Sequence, residues 1–254
     1  MVLTSKFPAI TSANAIIMAY VKVASLFLLS QLVAAAHLMP KSPACLPVHM
    51  MAARGSLEAS GTGILQSLVQ EISKRHPSST VEPIDYPAGM EDYDVSVTAG
   101  TQAVKKQITS YVERCPKSQV VLLGFSQGAH ITGDALCGGT ALDTGVFTPP
   151  LSHDISSHIS AVVWYGDPRH VPGKSFNKGN ATTDGMFVRE GANQSCDKYS
   201  DILASYCDDG DAFCATTGDN LIVHVTYPER YDEMAAEFVN EKLASRHSTA
   251  RKAI

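Results

Sequence analysis

The segment RCPKSQVVLLGFSQGAH (Arg114–His130) decides the fold of this 254-residue chain. Within it, Gln119 to Gly124 is a continuous apolar run, which is typical of a strand buried on both faces of a parallel sheet. The pattern G-x-S-x-G follows at Gly124–Gly128, before an apolar segment that can form a helix. Its glycines allow a sharp turn between strand and helix, which would present Ser126 at the end of a central strand. The alternative is an ordinary glycine-bounded turn whose serine caps the helix.

Apolar residues in the rest of the chain alternate between runs typical of strands and stripes typical of helices. Strands are predicted at Val48–Ala53, Val81–Tyr86 and Ile159–Tyr165, with Pro83 placing the second at an edge. This alternation predicts one α/β domain over residues 37–254, a parallel sheet of about five strands with helices on both faces. The helical stripes comprise Ile64, Leu65, Leu68, Val69 and Ile72, then Val97, Val104, Ile108, Tyr111 and Val112, and finally Met234, Ala235, Phe238, Val239 and Leu243.

The N-terminal region carries the pattern of an export signal. Val23–Ala36 (VASLFLLSQLVAAA) is uncharged and apolar, follows Lys22 and ends in small residues, so residues 1–36 are predicted to be a signal peptide. Either Met1 or Met18 can be the initiator. A membrane anchor is the alternative, but the apolar run is shorter than the roughly 20 residues that a spanning helix needs. We therefore expect a secreted, extracellular protein without stable membrane insertion.

Charge and cysteine content narrow the class of protein further. The net charge of −5, without a basic stripe, gives no reason to expect nucleic acid as a partner. No CxxC or HExxH pattern occurs, so neither a metal nor another cofactor is expected. Asn180-Ala-Thr and Asn193-Gln-Ser are candidate glycosylation sites. An even number of cysteines in an exported chain predicts three disulfides among Cys45, Cys115, Cys137, Cys196, Cys207 and Cys214.

A serine hydroxyl becomes a strong nucleophile when a histidine accepts its proton and a carboxylate orients that histidine. In α/β-hydrolases the acid and then the histidine follow the serine along the chain. His224 lies in an apolar loop just before the last predicted helix, where the base is expected. His170 comes too early and His247 lies in the tail, whereas His130 should lie one helical turn from Ser126, packed or exposed.

Spacing leaves the acid open. Asp208, Asp209 and Asp211 all lie between Cys207 and Cys214, and a disulfide there would hold their loop rigid. Asp167 is a further candidate, although its position before a proline also suits a turn.

The remaining parts of such a site are hydrogen-bond donors for an oxyanion and a wall for the substrate. The backbone N–H of Gln127 is one candidate donor, and the loop Arg54–Ser56 after the first strand is expected to supply another. Leu221, Ile222 and Val223 beside His224 form either an apolar lip suited to acyl chains or part of the core. No insertion is long enough to act as a lid, so the serine is expected to be open to solvent.

From Cys45 to Leu243 the chain resembles the cutinase and acetylxylan esterase family of small, mostly fungal esterases. The resemblance rests on the segment around Ser126, the Arg-Gly-Ser after the first strand, ALCGG, and CDDGDAFC followed by a histidine. It implies Asp211 as the acid, the fourth residue after Cys207. It also implies an oxyanion hole formed by Ser56 with Gln127. The implied cysteine pairs are Cys45 with Cys115, Cys137 with Cys196, and Cys207 with Cys214.

This resemblance implies a lidless α/β-hydrolase, expected to be monomeric, that hydrolyses carboxylic esters through an acyl-enzyme. Gly166-Asp-Pro168, ALCGG and the Cys137–Cys196 pair are similar to acetylxylan esterases. Deacetylation of a plant cell-wall polysaccharide such as acetylxylan is therefore the expected activity. Hydrolysis of cutin or other short-to-medium acyl esters is the second expectation. A catalytically silent, secreted cell-wall binding protein is the alternative from another class.

Overall fold

The computed structural model describes residues 44–142 and 145–252, with side chains as far as Arg246. The predicted signal peptide lies outside these residues. The described strands are β1 Val48–Ala53, β2 Ser79–Pro83, β3 Gln119–Phe125, β4 Gly139–Thr140, β5 Phe147–Thr148, β6 Ile159–Tyr165, β7 Asn177–Lys178 and β8 Leu203–Tyr206. The described helices are α1 Gln66–Arg75, α2 Tyr93–Arg114, α3 Gln127–Cys137, α4 His153–Ser156, α5 Leu221–Val225 and α6 Tyr227–Lys252, with single 3₁₀ turns at Gly63–Leu65, Ala192–Gln194 and Asp197–Tyr199.

Six of the described strands form one parallel sheet in the order β2-β1-β3-β6-β8-β7, and β4 pairs with β5 in a small antiparallel ladder. The predicted α/β fold is therefore confirmed. The sheet has six strands rather than about five because β7, with only two residues, is too short to show a pattern. β2 pairs with β1 alone, which leaves Pro83 on an edge strand as expected.

Successive residues of the central strand β3 point to opposite faces of the sheet, and each face is covered by helices. Val121 and Leu123 belong to the core under α1 and α6, whereas Val120 and Leu122 belong to the core under α2 and α3. All four are buried, so β3 reads as a continuous apolar run. In α6 the apolar stripe differs from the prediction in one respect. Met234 is 53% exposed, and the helix instead presents Ala235, Ala236, Val239 and Leu243 to the sheet.

Three disulfides join the six cysteines in the pairs that the resemblance implies. Cys45–Cys115 ties the segment before β1 to the end of α2, and Cys137–Cys196 ties the end of α3 to a later loop. Cys207–Cys214 closes a loop between positions only seven apart in sequence. The first two bridges connect distant parts of the fold, whereas the third stiffens one loop that follows β8.

Candidate active site

Ser126 occupies the turn between β3 and α3 in a backbone conformation that residues with a side chain rarely adopt, with φ 53° and ψ −120°. Its N–H donates to the carbonyl of Tyr165 on β6, at 2.9 Å. A Cβ on Gly128 would lie 1.9 Å from the Ala53 carbonyl oxygen, and a Cβ on Gly124 would lie 2.7 Å from the next helix backbone. Only glycine fits at both positions, and this close packing is what maintains the strained serine.

Ser126 lines a cleft of about 520 Å³. Its residue surface is only 8% exposed and that of His224 only 3%, so the serine is more recessed than the absence of a lid suggests. Leu221 is 57% exposed and lines the cleft, so it forms the lip. Ile222, 67% exposed, and half-buried Val223 are not core residues either, but neither of them lines the cleft. The apolar part of the cleft wall consists of Leu57, Ile64, Met90, Phe125, Pro168, Met186, Phe187, Phe213, Leu221 and Val225.

His224 lies in the short helix α5 rather than in the predicted loop. Its Nδ1 is 2.8 Å from Oδ2 of Asp211, which leaves Nε2 for the cleft that His224 lines together with Ser126. Gly166, at φ +58°, provides the space for this ring, because a Cβ there would lie 2.7 Å from the imidazole Cε1. Gly166 belongs to Gly166-Asp-Pro168, the segment that is similar to acetylxylan esterases, and this packing supplies a physical reason for the glycine.

The Asp211 carboxylate is fully buried and has partners on both oxygens. Oδ1 accepts the N–H groups of Phe213 and Cys214, at 2.7 and 3.0 Å. Oδ2 accepts the Tyr227 hydroxyl at 2.7 Å besides contacting His224. Burial by itself raises the pKa of Asp211, but these hydrogen bonds and the nearby imidazole outweigh burial and lower it. Asp211 is therefore ionised at neutral pH, as a carboxylate that orients an imidazole must be.

The other three candidate acids have different partners. Asp208 accepts the Tyr231 hydroxyl at 2.7 Å and pairs with Arg230, whereas Asp209 is exposed. Asp167 is buried and accepts the backbone N–H two residues later, at 3.0 Å, so it closes the turn at Pro168. Among the described residues, only Asp211 of the four contacts His224.

The side chains of the other described candidate histidines have partners outside the cleft, although the backbone N–H of His130 donates to the Ser126 carbonyl at 3.1 Å. His130 is fully buried in α3, 3.3 Å from Asp134 and 3.1 Å from the Tyr93 hydroxyl. His170 lines a second cavity, and the side chain of His247 is outside the described residues. Of the three candidate histidines whose side chains the structure describes, only His224 lines the cleft.

The two candidate oxyanion donors are held by buried polar contacts. Gln127 begins α3, so its N–H is among the first four of the helix, which have no acceptor within it. Its side chain accepts from Ser96 at 3.0 Å and donates to the Gly89 carbonyl at 2.9 Å. Ser56 lines the same cleft. Its loop is fixed by buried Arg54, which donates to the Tyr86 carbonyl at 2.7 Å.

Tyr227 is one of two residues at this site that sequence reasoning missed. It is fully buried at the start of α6, three positions after His224, and no motif singles it out. Phe213 was missed too, although its place inside CDDGDAFC is a signal that could have found it. In residues 44–142 and 145–252, no group of three or more histidine, cysteine or acidic side chains is arranged to hold a metal ion. The helices in these ranges also lack the combined length and apolar character needed to cross a membrane.

Comparison with known proteins identifies the family. A sequence model of the cutinase family matches residues 44–243. An acetylxylan esterase of Hypocrea jecorina is 36% identical over 210 residues, which cover 79% of this chain and 68% of that protein. Cutinase 11 of Verticillium dahliae is 36% identical over 223 residues, which cover 84% of this chain and 74% of that protein. The solved catalytic core domain of the acetyl xylan esterase from Trichoderma reesei superposes with a TM-score of 0.73 at 33% identity, covering 78% of this chain and 100% of that one.

The parallel sheet, its covering helices and these structural relatives define an α/β-hydrolase, and the related enzymes are carboxylic ester hydrolases. The chain belongs to the cutinase family, which here includes relatives described as acetylxylan esterases and as cutinases.

Proposed function

We propose that the chain hydrolyses esters through a triad of Ser126, His224 and Asp211. The observation that carries this proposal is the 2.8 Å contact between His224 and Asp211 in the cleft that Ser126 also lines. The strained backbone of Ser126 supports it, because such strain is found at functional sites and costs about 1–3 kcal/mol. An ordinary capping serine would not require this conformation, and the Ser126 side chain makes no capping hydrogen bond.

In the proposed mechanism, His224 takes the hydroxyl proton while Ser126 Oγ attacks the ester carbonyl. The negative charge that develops on the carbonyl oxygen is stabilised by Ser56 and the N–H of Gln127, and one such donor contributes about 3–4 kcal/mol. The tetrahedral intermediate collapses as His224 returns the proton to the departing alcohol. Water then attacks the acyl-enzyme with His224 again as base, which releases the acid and restores Ser126.

For the substrate, we propose the acetyl esters of a plant cell-wall polysaccharide such as acetylxylan. This proposal is supported by the acetylxylan esterases among the relatives, at 36% identity in sequence and a TM-score of 0.73 in structure. Cutin is the second candidate, and the observation that favours it is the apolar wall of the cleft with Leu221 at its lip. Such a wall can hold an acyl chain longer than acetyl.

The cellular setting belongs to the same proposal. The signal pattern at 1–36, three disulfides and exposed acceptors at Asn180 and Asn193 support a secreted glycoprotein. It is proposed to act as a monomer on a polymer. A catalytically silent cell-wall binding protein would not require an ionised carboxylate that three further hydrogen bonds hold against His224.

The experiment compares initial rates on p-nitrophenyl acetate, butyrate and longer esters, then acetate release from acetylated xylan and acid release from cutin. We expect rates to fall beyond butyrate and acetate to be released from xylan. Ser126→Ala, with its fold checked by circular dichroism, serves as control. A Ser126→Ala variant that keeps more than a few per cent of the rate would rule out the triad. Faster hydrolysis of long esters and of cutin would show that cutin, rather than acetylxylan, is the substrate.

A further inference from the structure

The turn that carries Ser56 has a strained backbone. Leu57, the next residue, has φ 63° and is 78% exposed, so little packing of its own side chain holds it in this conformation. Its N–H donates to the carbonyl of Ala88, which has φ 54°, at 2.8 Å. Residues with a Cβ rarely adopt a positive φ, and they keep it only where the surrounding structure imposes it. The turn around Ser56 therefore depends on support from neighbouring groups.

Glu58 supplies much of this support, because its side chain spans the turn. Its Oε2 accepts the N–H of Gly55 at 2.6 Å, and its Oε1 accepts the N–H of Ile64 at 2.7 Å. Its backbone carbonyl accepts from Nε of Arg54 at 2.8 Å. Glu58 therefore closes a ring of hydrogen bonds around Ser56 and ties this ring to the 3₁₀ turn that precedes α1.

Two glycines leave space for the Glu58 carboxylate. A Cβ on Gly63, which has φ 56°, would overlap the carboxylate, so a larger residue there would displace it. A Cβ on Gly55 would lie 3.3 Å from Oε2 and only 2.6 Å from the Phe125 ring. The backbone on both sides of Ser56 is therefore shaped to receive this side chain.

The charge of Glu58 does not explain its position. Glu58 is half-buried, and it is the only acidic residue among the described residues that line the cleft with Ser126. A carboxylate near an oxyanion hole repels the negative charge that develops there. Its hydrogen bonds have the opposite effect on the reaction, because they fix the backbone beside Ser56 and preorganised donors stabilise an oxyanion. The two effects change the rate in opposite directions, so a substitution can separate them.

We propose that Glu58 is a positioning residue that holds Ser56 where it can bind the oxyanion. The inference rests on the proposed function, because it assigns Glu58 a role in the same reaction. Glu58 acts through the backbone beside Ser56 rather than through contact with the ester. Since the oxyanion exists only after Ser126 has attacked, a loosely held Ser56 should lower kcat and kcat/KM by the same factor.

The test compares Glu58→Gln with Glu91→Gln in the full-length protein. Glutamine keeps the size of the side chain, but its amide nitrogen must face one of the two backbone N–H groups and cannot accept from it. We expect kcat on p-nitrophenyl acetate to fall about 10- to 100-fold, and kcat/KM with it. Glu91 is exposed and adjoins Met90 of the cleft wall, so Glu91→Gln removes the same charge near the cleft and should keep the wild-type kcat. A purely electrostatic effect of Glu58 would instead make Glu58→Gln faster than wild type.

A double variant shows whether Glu58 acts through Ser56. Ser56→Ala removes the hydroxyl and should lower kcat about a hundredfold. Adding Glu58→Gln to Ser56→Ala should then lower kcat by at most about threefold more, because the hydroxyl that Glu58 positions is already absent.

Circular dichroism and urea unfolding verify that each variant is folded. If Glu58→Gln does not fold, Glu58→Asp takes its place, since the shorter carboxylate cannot reach both N–H groups and should lower kcat and kcat/KM together. The inference is overturned if the folded variant keeps or exceeds the wild-type kcat, if only KM changes, or if the loss is equally large without the Ser56 hydroxyl. Ser126→Ala separates this inference from the proposed function. An active Ser126→Ala would refute the triad, whereas an inactive Ser126→Ala beside a fully active Glu58→Gln would refute the role of Glu58 alone.

Discussion

Asp211 has four hydrogen-bond partners on its two carboxylate oxygens, and this complete shell distinguishes it from its neighbours in the same loop. The two backbone donors, on Phe213 and Cys214, exist because the chain turns immediately after the aspartate. Asp209, two residues earlier, is exposed, and Asp208 points at Tyr231 and Arg230 instead. The loop therefore allows one acid to reach His224, although three occur within four positions.

Replacing the acid should remove most of the activity. We expect Asp211→Asn to lower kcat at least about a thousandfold, because the amide no longer holds the imidazole in the productive tautomer or balances its charge. Asp209→Asn is the matched control and should stay within a few fold of wild type, since its side chain is exposed. Asp208→Asn is a weaker control because it disturbs the pair with Arg230. Steady-state rates on p-nitrophenyl acetate measure the activity of each variant. An inactive Asp209→Asn with an active Asp211→Asn would contradict the assignment of Asp211 as the acid of the triad.

Tyr227 is expected to tune the acid through its hydroxyl. In Tyr227→Phe the Asp211 carboxylate loses one of its hydrogen-bond donors, so it should hold the imidazole of His224 less firmly. We expect kcat to fall about tenfold, because a hydrogen bond to a charged group contributes about 1.5–3 kcal/mol. Tyr231→Phe loses a similar bond to Asp208 instead and should keep the wild-type kcat. Equal kcat values for both variants would mean that Tyr227 has only a structural role.

Ser126, Asp211 and His224 were predicted from the sequence for different reasons. Glycine spacing identified the serine and chain order identified the histidine, whereas spacing left several acids open and the resemblance selected Asp211. Tyr227 could not be predicted, because a tyrosine three positions after a histidine has no local signature. Its role arises where α6 packs against the 207–214 loop.

Among the secondary-structure elements, the β3–α3 turn stores strain at Ser126. A residue at φ 53° and ψ −120° costs about 1–3 kcal/mol unless it is glycine, whereas glycine costs about 0.5–1 kcal/mol in chain entropy. We therefore expect the free energy of unfolding of Ser126→Gly to be about 1 kcal/mol higher than that of Ser126→Ala. Both variants should be inactive. Ala244→Gly in α6, where the backbone is helical, should instead lose about 1 kcal/mol. Urea unfolding measures all three, and a less stable Ser126→Gly would argue against stored strain.

Two of the disulfides are expected to differ in their effects, one on stability and the other on activity. The Cys45–Cys115 bridge spans 70 positions and should contribute about 4 kcal/mol, against about 2 kcal/mol for Cys207–Cys214, which spans seven. We expect the Cys45→Ser/Cys115→Ser variant to unfold more readily yet keep kcat within about twofold when folded. Cys207→Ser/Cys214→Ser should lose less stability but at least tenfold in kcat, because the loop positions Asp211. The opposite ranking in kcat would show that the loop is rigid without its bridge.

Long apolar runs predicted β1, β3 and β6, with β1 and β6 at their observed bounds, because buried parallel strands need no polar face. β8 (Leu203–Tyr206) was missed, since four residues including a serine do not form a recognisable run. The predicted loop around His224 is a helix of five residues, which is too short for periodicity to indicate. These missed elements form because neighbouring parts of the fold hold them in place, and their own sequences carry no recognisable pattern.

Over the whole molecule, one buried carboxylate connects segments that are far apart in sequence. Asp134 in α3 contacts His130, Arg169 after β6, and Arg189 from the loop that leads to Cys196. This network could not be predicted from the sequence, because its charged residues lie in separate segments that only the tertiary fold brings together. Such a network is expected to fix the position of α3, at whose N-terminus Ser126 lies.

The charge network around Asp134 should make the stability of the protein depend on pH. Burial by itself raises the pKa of Asp134, but His130, Arg189 and Arg169 outweigh burial and lower the pKa from 3.8 to about 2. The pKa of Asp134 is therefore lower in the folded state than in the unfolded state. For this reason Asp134 contributes about 2 kcal/mol to the free energy of unfolding above pH 4, and this contribution is lost as the pH falls towards 2.

Asp134→Asn should therefore destabilise the protein by about 3–5 kcal/mol at pH 7, since it leaves two buried arginines without their shared partner. At pH 3 part of the wild-type contribution has gone, so the difference between the two proteins should shrink by about 1 kcal/mol. Asp209→Asn, at an exposed position, provides the baseline at both pH values. Urea unfolding at pH 7 and pH 3 measures the three proteins. A difference between wild type and Asp134→Asn that stays constant, or grows as the pH falls, would mean that Asp134 does not hold its charge against the arginines.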